Sequence, residues 1–511
     1  MITYLTNRIK NKNVLILGFG REGQSTLKAF LEAGSAKKIT IADQKNLSIE
    51  SEVFADKVYA EYDLNAIEFC CGPQYQDSCD DYDLVMKSPG IVLKKDISMY
   101  QTEILSQMQL FFEFYRDRII GITGTKGKST TTTLLHHILK ESGRPAILAG
   151  NIGIPVFDIL HEITDESFFV IELSCHQLEY MTISPKWGIL LNIYEEHLDH
   201  YGTLDKYIAS KEKIYENQRE GDYLFVNPDV RPETGRCSAN IKTVDIKHID
   251  DIVDIKCGTK IQIIEKEEKY SGNDKYEVDI NETSLKFICN TESDEYTDII
   301  LYMPLDSEQI PPVISYQNRQ CKIPITEISL LGEHNYLDIA YVYGVCCEFG
   351  ITDEEFVKGL QSYVPLPHRL QYIGTVNGVA YYDDSISTID ETTIQALNTI
   401  KNADTVLIGG MDRGISYVNL ERYLADSKVA HIILMEDTGK RIYEEIQADY
   451  PDFLHKERLY VVDHLKDAVE LAKQITKKGS SCILSPAAAS YGIFKNFEER
   501  GEVFAKLVNQ N

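Results

Sequence analysis

The stretch GITGTKGKSTTTTLLHHIL at residues 121–139 determines what the middle of this chain folds into. It begins inside the apolar run IIGIT, which is typical of a buried strand, and it ends in an apolar helical pattern. A turn rich in glycine and hydroxyl residues between a strand and a helix surrounds an anion with backbone N–H groups and the positive helix end. Lys128 adds a charge suited to the β- and γ-phosphates of a nucleotide, and Ser129 adds a hydroxyl suited to Mg²⁺.

This turn differs at one position from the phosphate-loop consensus G-x-x-x-x-G-K-[ST], because Ile122 stands where the consensus has glycine. The strand before the turn and the helix after it still favour a phosphate site. We therefore predict that ATP is bound by the residues of this turn: Gly124, Thr125, Lys126, Gly127, Lys128, Ser129 and Thr130.

Length and composition limit the remaining possibilities. A chain of 511 residues exceeds a single core and predicts about three domains. The formal net charge of -27 argues against binding to nucleic acid or to an anionic membrane surface. No apolar run approaches the roughly 18 residues of a membrane span, and no signal-peptide pattern precedes the first strand. The 11 cysteines form no CxxC pair, which favours reduced core thiols in a cytoplasmic protein over disulfides or a zinc site.

Short apolar runs alternate with helical patterns along most of the chain, which predicts parallel α/β sheets. We expect an α/β protein with a Rossmann-like domain at 1–117, a central P-loop ATPase-like domain at 118–363 and a second Rossmann-like domain at 364–511. The first domain is expected to close with a helix from about Asp96 to Tyr115. Between about 230 and 325, short β-like runs between charged turns predict an antiparallel appendage to the central sheet.

A second glycine-rich turn, with Gly18, Gly20 and Gly23, directly follows the strand-like run VLIL. Asp43 ends the next strand, which is the spacing of a dinucleotide fingerprint whose acid contacts a ribose. The pattern alone is weak evidence. It fits bound NAD(P), a tight turn without a ligand, or a turn that holds the diphosphate of another nucleotide conjugate.

Three residues near strand ends are further candidates. Glu172 ends a buried strand, where a carboxylate is costly unless a cation offsets it, so we expect it to act near Mg²⁺ or else in a structural ion pair. His197 follows another strand end, and a metal or substrate role competes there with an ordinary packed histidine. Lys211 by itself is an ordinary helix lysine.

Six stretches in chain order resemble the motif series of the Mur ligases: GITGTKGKSTTT, GNIGIP, VIELSCHQLE, NIYEEHLDHYGTLDKYIASKEKIY, GEHNYLDIA and HRLQY. These enzymes form amide bonds with ATP in peptidoglycan precursor synthesis, so the resemblance implies that chemistry. VLILGFGREGQS with KSPGI resembles the N-terminal UDP-binding domain of the member that adds D-glutamate. SPAAASYGIFKNFEERGEVF resembles the amino-acid site of the same member. The resemblance spans all three expected domains and fails only at about 230–325.

The resemblance implies roles for matching residues. Lys128, His197 and Lys211 would be catalytic, with Lys211 carbamylated so that its cation becomes a carboxylate-like metal ligand. Two Mg²⁺ ions would be held by Ser129, Glu172, His197 and Lys211. Besides the phosphate loop, ATP would contact Asn335, Arg369 and Asp384. The UDP substrate would contact Gly18, Gly20, Gly23, Asp43, Ser88, Pro89, Gly90 and Asn151. The amino acid would contact Thr388, Arg413, Ser490 and Phe497.

The implied reaction joins D-glutamate to UDP-N-acetylmuramoyl-L-alanine through an acyl phosphate. A carboxylate is a poor electrophile, so it would first attack the γ-phosphate of ATP, and the amine of the incoming amino acid would then displace phosphate. Closure of the C-terminal domain would exclude water from the intermediate. The resemblance also implies a cytoplasmic monomer.

The sequence departs from the family pattern near the amino-acid site. In the stretch that the family usually has as DSKATN, Ile386 replaces a lysine and Ile389 an asparagine; elsewhere Asp338 replaces an asparagine, and Arg413 replaces a lysine that usually meets the amino-acid carboxylate. These changes leave open the same mechanism with L-glutamate or another amino acid.

Hypotheses outside this chemistry are an NAD-dependent dehydrogenase and a non-catalytic Mur-like protein. Folylpolyglutamate synthase lacks the N-terminal UDP-binding domain, and the amidation-complex relatives carry a four-cysteine zinc ribbon that this chain does not have. The joint presence of Lys128, Glu172, His197 and Lys211 argues against loss of catalysis, because a scaffold needs none of them.

Overall fold

The computed structural model describes residues 1–55, 59, 61–194, 196–249, 260–264, 275–281, 284–289, 299–304, 311–317, 319–450 and 456–510. The chain forms two compact units. One comprises residues 1–328 and 337–363, and the other comprises residues 329–336 and 364–511. The expected division into domains at 1–117, 118–363 and 364–511 stays a prediction.

The N-terminal part of the first unit is a five-stranded parallel sheet in the order β3-β2-β1-β4-β5. Its strands read as nearly continuous apolar runs because helices cover a parallel sheet on its faces. The elements are α1 (Ile2–Ile9), β1 (Asn13–Leu17), α2 (Arg21–Ala33), β2 (Lys38–Asp43), β3 (Ile67–Cys71), β4 (Leu84–Lys87), β5 (Glu103–Leu105) and α3 (Gln107–Tyr115).

The helix predicted from Asp96 to Tyr115 is wrong in its first half. Residues 97–99 form a single 3₁₀ turn, and β5 then pairs with β4 in parallel. The α-helix begins only after Ser106, whose hydroxyl accepts the Gln109 N–H at 3.0 Å. An N-cap serine offers the backbone this bond only where the helix starts, so it fixes the boundary.

The central sheet of the first unit has the order β17-β16-β15-β11-β10-β9-β6-β8-β7. Its elements begin with β6 (Ile119–Thr123), α4 (Lys128–Glu141), β7 (Ala146–Gly150), β8 (Phe168–Glu172), α5 (Cys175–Leu178), β9 (Trp187–Leu190), α6 (Leu198–Tyr201), α7 (Leu204–Glu212) and β10 (Tyr223–Val226). They continue with β11 (Asn240–Ile249), β12 (Lys260–Ile264), β13 (Lys275–Asn281), β14 (Ser284–Cys289), β15 (Ile299–Pro304), β16 (Val313–Tyr316), β17 (Arg319–Lys322), α8 (Glu333–Glu348) and α9 (Asp353–Ser362).

The antiparallel appendage is only partly confirmed. Strands β12, β13 and β14 form a separate antiparallel sheet, and β15, β16 and β17 pair antiparallel in turn. However, β11 pairs in parallel with β10 and with β15, so both strands extend the parallel sheet. Local alternation along a strand does not specify its direction in a sheet, because that depends on where the connecting segments cross.

The second unit is a six-stranded sheet in the order β18-β19-β23-β20-β21-β22, parallel except for the antiparallel pair β18 and β19. Buried apolar side chains pack on both faces of this sheet. Its elements are β18 (Gln371–Val376), β19 (Val379–Asp383), α10 (Asp390–Thr399), β20 (Ala403–Gly409), α11 (Val418–Asp426), β21 (His431–Met435), α12 (Glu436–Asp449), β22 (Leu459–Val462), α13 (Leu465–Ile475), β23 (Ser481–Leu484) and α14 (Phe497–Asn509).

These sheets confirm the predicted α/β class. Helices long and apolar enough to cross a membrane are absent from the described part of the chain. Nine cysteines are free thiols: Cys70, Cys71, Cys79, Cys175, Cys237, Cys321, Cys346, Cys347 and Cys482.

Candidate active site

The phosphate loop between β6 and α4 is held by a residue that the sequence analysis did not single out. Asn192, just after β9, accepts the N–H groups of Thr125 at 3.1 Å and Lys126 at 2.9 Å through Oδ1. Its Nδ2 donates to the Lys126 carbonyl at 3.2 Å. Because β6 and β9 are neighbours in the sheet, the amide at the end of one strand fixes the loop at the end of the other.

Two glycines of the loop are required by close contacts. A Cβ on Gly124 would lie 2.9 Å from the Leu191 Cβ, and one on Gly127 would lie 2.6 Å from Asp338 Oδ1. Gly127 also has φ +82°, a left-handed conformation that favours glycine, and it precedes the first turn of α4. The substitution Asp338 therefore places a carboxylate directly against the loop.

Lys128 and Lys211 share one acceptor. Lys128 Nζ donates to the carbonyls of Gly124 and Thr125 at 2.9 Å, and Lys211 Nζ donates to the Gly124 carbonyl at 2.8 Å. Burial lowers the pKa of both ammonium groups, and the pKa of Lys211 falls to about 7 because the charge of Lys128 adds to this effect. Lys211 is only 1% exposed on α7, so it is not the ordinary helix lysine that its local sequence indicates.

Glu172 ends β8 with its side chain buried. Its Oε1 accepts the Asn151 Nδ2–H at 2.7 Å, while its Oε2 is buried and has no hydrogen-bond partner. The charge of Glu172 acts on the Lys128 ammonium. A buried carboxylate oxygen without a hydrogen-bond partner is costly, and a divalent cation would satisfy it. The residues therefore fit Mg²⁺, although no cluster of three or more His, Cys, Asp or Glu side chains is arranged around a metal position in the described segments.

Lys128, Lys211 and Asn151 line one cleft of about 390 Å³ within the first unit. Its walls combine residues that the sequence analysis singled out with others that it missed, namely Ser174, Cys175, His176, Glu196 and Tyr207. The singled-out ones are Pro89, Gly90, Lys128, Asn151, His197 and Lys211. The missed residues lie inside the stretches VIELSCHQLE and NIYEEHLDHYGTLDKYIASKEKIY, so the resemblance of these stretches was the available signal.

The cleft carries an ion pair and a group of rings. Lys126 Nζ lies 3.1 Å from Glu196 Oε1. Burial raises the pKa of the Glu196 carboxyl, but nearby cations, Lys126 foremost, outweigh burial and lower that pKa below its ordinary value. The His197 ring centroid lies 5.0 Å from that of His176 and 6.2 Å from that of Tyr207. His197 has φ +57°, so the backbone turns sharply at this position.

The N-terminal glycine turn is closed by its own residues. Asp43 accepts the Phe19 N–H at 2.7 Å and the Lys45 N–H at 2.8 Å, one through each carboxylate oxygen. A Cβ on Gly23 would lie 2.2 Å from the Gly18 carbonyl oxygen, while Gly20 has open space. Ser88 Oγ donates to the same Gly18 carbonyl at 2.7 Å, which ties this turn to the loop that reaches the cleft at Pro89 and Gly90.

The remaining predicted residues lie in the second unit. Asp384 is buried, accepts the Leu370 N–H at 3.1 Å and the hydroxyls of Ser387 and Ser485 at 2.5 and 2.7 Å, and has its pKa raised to about 7 by burial. Asn335 Nδ2 donates to the Leu331 carbonyl at 2.6 Å, and Arg369 is half-buried.

Two of the residues expected around the amino acid, Arg413 and Thr388, contact each other. The Arg413 guanidinium donates to the Thr388 carbonyl at 2.7 Å. The Met411 N–H donates to the Ala489 carbonyl at 2.8 Å, which places the Arg413 loop beside Ser490. Phe497 begins α14, and its ring lies 6.3 Å from that of His368.

Two polar residues of the second unit, the half-buried His368 and the buried Arg500, were missed by the sequence analysis. His368 Nδ1 lies 2.7 Å from Asp383 Oδ2, and this hydrogen bond raises the pKa of His368. The fully buried Arg500 donates to Ser385 Oγ at 3.0 Å and to the Ala488 carbonyl at 3.0 Å. Both support the loops that carry the expected residues.

The amino-acid sequence of this chain is similar to those of known proteins. Residues 122–345 match the Mur ligase middle domain. Over 98% of both chains, the sequence is 29% identical to UDP-N-acetylmuramoylalanine--D-glutamate ligase of Alkaliphilus metalliredigens. The chain is therefore similar to Mur ligases in its middle domain and, over its full length, to this relative. The protein of the same name from Geobacillus kaustophilus is 28% identical to this chain over 99% of both chains.

Solved structures with the same fold are more distant in sequence. A pseudomurein peptide ligase type C from Methanothermus fervidus has a TM-score of 0.52 at 14% identity, covering 97% of this chain and 100% of that chain. MurF from Acinetobacter baumannii has a TM-score of 0.51 at 14% identity, covering 99% of this chain and 92% of that chain. At such identities the likeness establishes the fold alone.

Proposed function

We propose that this protein joins D-glutamate to UDP-N-acetylmuramoyl-L-alanine, with ATP as the energy source, in peptidoglycan precursor synthesis. The names of its full-length relatives support this substrate pair. The observation that carries the proposal is the cleft lined both by Lys128 and Lys211 and by Pro89 and Gly90. A ligase that phosphorylates a carboxylate must hold ATP and a nucleotide sugar within reach of each other, and this cleft has a phosphate loop on one side and the expected UDP-binding loop on the other.

Mg²⁺ would be held by Ser129, Glu172, His197 and Lys211, with two ions in all. When bound, it neutralises charge on the transferring phosphoryl group. The unpartnered Glu172 Oε2 supports a cation at this position. Carbamylation of Lys211 requires its neutral amine to add CO₂, and the buried amine beside Lys128 favours that neutral form.

The other steps of the proposed reaction depend on residues of the phosphate loop and on Asn192. Gly124–Thr130 bind the phosphates, and Lys128 faces the charge that develops when the substrate carboxylate attacks the γ-phosphorus and ADP leaves. The amine of the amino acid then attacks the acyl carbon, phosphate leaves, and the amine loses a proton. Asn192 keeps the loop in place through the three hydrogen bonds it makes.

The second unit supplies the other contacts in this proposal. Asp384 meets the ATP ribose, and Asn335 and Arg369 contact the nucleotide. Thr388, Arg413, Ser490 and Phe497 line the amino-acid pocket. Domains at 1–117, 118–363 and 364–511 would serve the UDP substrate, ATP and the amino acid in that order, in a cytoplasmic monomer that binds neither nucleic acid nor membrane.

One observation favours a second candidate, the same reaction with L-glutamate or another amino acid. Ile386 replaces a family lysine, so this pocket has one cation fewer. Arg413 still offers a guanidinium, which pairs with a carboxylate bidentately and is not equivalent to lysine.

The test is release of phosphate from ATP with Mg²⁺ and UDP-N-acetylmuramoyl-L-alanine, comparing D-glutamate, L-glutamate and a panel of other amino acids. Reactions without the UDP substrate measure background hydrolysis. Turnover with D-glutamate alone supports the first candidate, and turnover with another amino acid supports the second. Background rates with every amino acid would refute both.

A further inference from the structure

Lys87 is a buried cation outside the residues assigned so far. It ends β4, whose other residues Leu84, Val85 and Met86 are apolar, and it is only 5% exposed. Its Nζ donates to the carbonyls of Ser88 at 3.3 Å and Pro89 at 3.2 Å, and it lies 5.0 Å from the centre of the Tyr180 ring. An ammonium at such a position is costly, and an apolar residue would continue the pattern of the strand.

The two hydrogen bonds fix the orientation of the loop that follows. In a trans peptide the C=O and N–H point in opposite directions. Because the Pro89 carbonyl points at Lys87, the Gly90 N–H points away from it. Gly90 also has open space where a Cβ would stand, and it lines the cleft with Pro89. Lys87 therefore directs the Gly90 N–H away from the protein interior, at a position expected to contact the UDP substrate.

Two carboxylates support the ammonium from different elements. Glu22 on α2 and Glu179 after α5 are the acidic groups whose charge favours its protonated form. Glu22 Oε1 accepts the Gln177 Nε2–H at 2.6 Å, and Gln177 Oε1 accepts the Ser174 N–H at 3.0 Å. Ser174 lines the cleft, so a continuous set of polar contacts joins the helix after the glycine turn to the cleft wall.

We propose that Lys87 is a positioning residue for the nucleoside-diphosphate part of the substrate. It holds the carbonyls of residues 88 and 89 inward so that the Gly90 N–H is presented to the ligand. Ser88 ties the same loop to the Gly18 turn, so the loop is fixed from two sides. This inference rests on the proposed function for the identity of the full substrate, but its nucleotide part can be tested with UDP alone.

The experiment compares the full-length wild type with Lys87→Met and with Lys95→Met. Methionine keeps the length and volume of lysine without its charge. Lys95 is the matched control because its ammonium forms an exposed ion pair with Asp80 at 2.7 Å. Titration calorimetry measures the Kd of UDP, of UDP-N-acetylmuramoyl-L-alanine and of a non-hydrolysable ATP analogue for each protein.

Lys87→Met is expected to raise the Kd of both UDP ligands about 10-fold, which corresponds to about 1.4 kcal/mol, while the Kd of the ATP analogue stays within about twofold. Where turnover is measurable, KM for the UDP substrate rises and kcat at saturation is retained. Lys95→Met is expected to match the wild type.

Unchanged binding of UDP by Lys87→Met overturns the inference, and so does an equal loss of UDP and ATP-analogue binding, which would indicate a general structural role. A wild type that binds UDP but turns over no amino acid would refute the proposed function and leave this comparison intact.

Discussion

Replacing Lys87 with methionine is expected to stabilise the first unit at neutral pH. Burial lowers the pKa of Lys87 to about 8 from the ordinary 10.5. Each pKa unit corresponds to about 1.4 kcal/mol, so the charged lysine costs the native state about 3 kcal/mol at pH 7. Loss of its two hydrogen bonds to carbonyls costs about 1 kcal/mol each. The variant should therefore be more stable than the wild type by about 1 kcal/mol.

The difference in stability between Lys87→Met and the wild type is expected to change sign with pH. Between pH 8 and 10.5 the unfolded wild type retains the proton that the native state has released, so the stability of the wild type rises with pH. The variant lacks this contribution. The penalty on the native wild type falls to about 1 kcal/mol at pH 10, so the variant should there be the less stable protein by about 1 kcal/mol. The two stability curves cross between these pH values.

The assay is urea unfolding followed by tryptophan fluorescence at pH 7 and pH 10. The chain has one tryptophan, Trp187, on β9 in the same unit as Lys87, so the signal reports the relevant unit. Lys95→Met should differ from the wild type by less than about 0.5 kcal/mol at either pH. A Lys87→Met variant that is destabilised by several kcal/mol at pH 7, with no change in that gap at pH 10, would refute the reasoning.

Three further predictions concern the cleft and the turn beside it. Lys128→Ala should lower ATP-dependent phosphate release roughly 100-fold or more because it removes the charge nearest the phosphates. Lys140→Ala, a control at an exposed position on the same helix, should release phosphate at the wild-type rate. A near-normal rate for Lys128→Ala would contradict the phosphate-loop assignment. Lys211→Ala should lose activity and regain part of it with bicarbonate, or with chloride and acetate, and full activity without these additions would remove Lys211 from the mechanism. Gly23→Ala should lower the free energy of unfolding of the first unit by about 3 kcal/mol in urea unfolding, because the added Cβ meets the Gly18 carbonyl. Gly20→Ala should leave the free energy of unfolding nearly unchanged, because its Cβ has open space. Equal effects of the two substitutions would show that the turn relaxes around the methyl group.

The sequence predicted most of the strands that end at the cleft. The runs IIGIT, FFVIE and WGIL are short, apolar and followed by polar residues, so both the strand and the position of Glu172 beyond it could be inferred. Lys211 was a candidate only through the resemblance, because its burial depends on packing of α7 against the phosphate loop. That packing leaves no local pattern in ASKEKIY.

Other features depended on sheet order or on single contacts. Asn192 holds the loop because β9 lies beside β6, and neighbours in a parallel sheet are not adjacent in sequence. Lys87 looks like a polar residue at the end of a strand until its burial is known. The three-residue strand β5 has too few residues to show a period, so its segment was taken for part of a helix. In each case tertiary context decided what local patterns left open.

The order of the strands also bears on how this protein can change over evolutionary time. The cleft residues that belong to the central sheet follow β6, β7, β8 and β9, whereas β17 ends that sheet six strand spacings from β6, roughly 29 Å away at about 4.8 Å each. Insertions near β17, at this edge of the sheet, would lengthen the chain without displacing the ends of β6, β7, β8 and β9 at the cleft. The β16–β17 hairpin is accordingly the place to graft an affinity tag or a reporter domain, and such a fusion should retain the turnover of the parent enzyme.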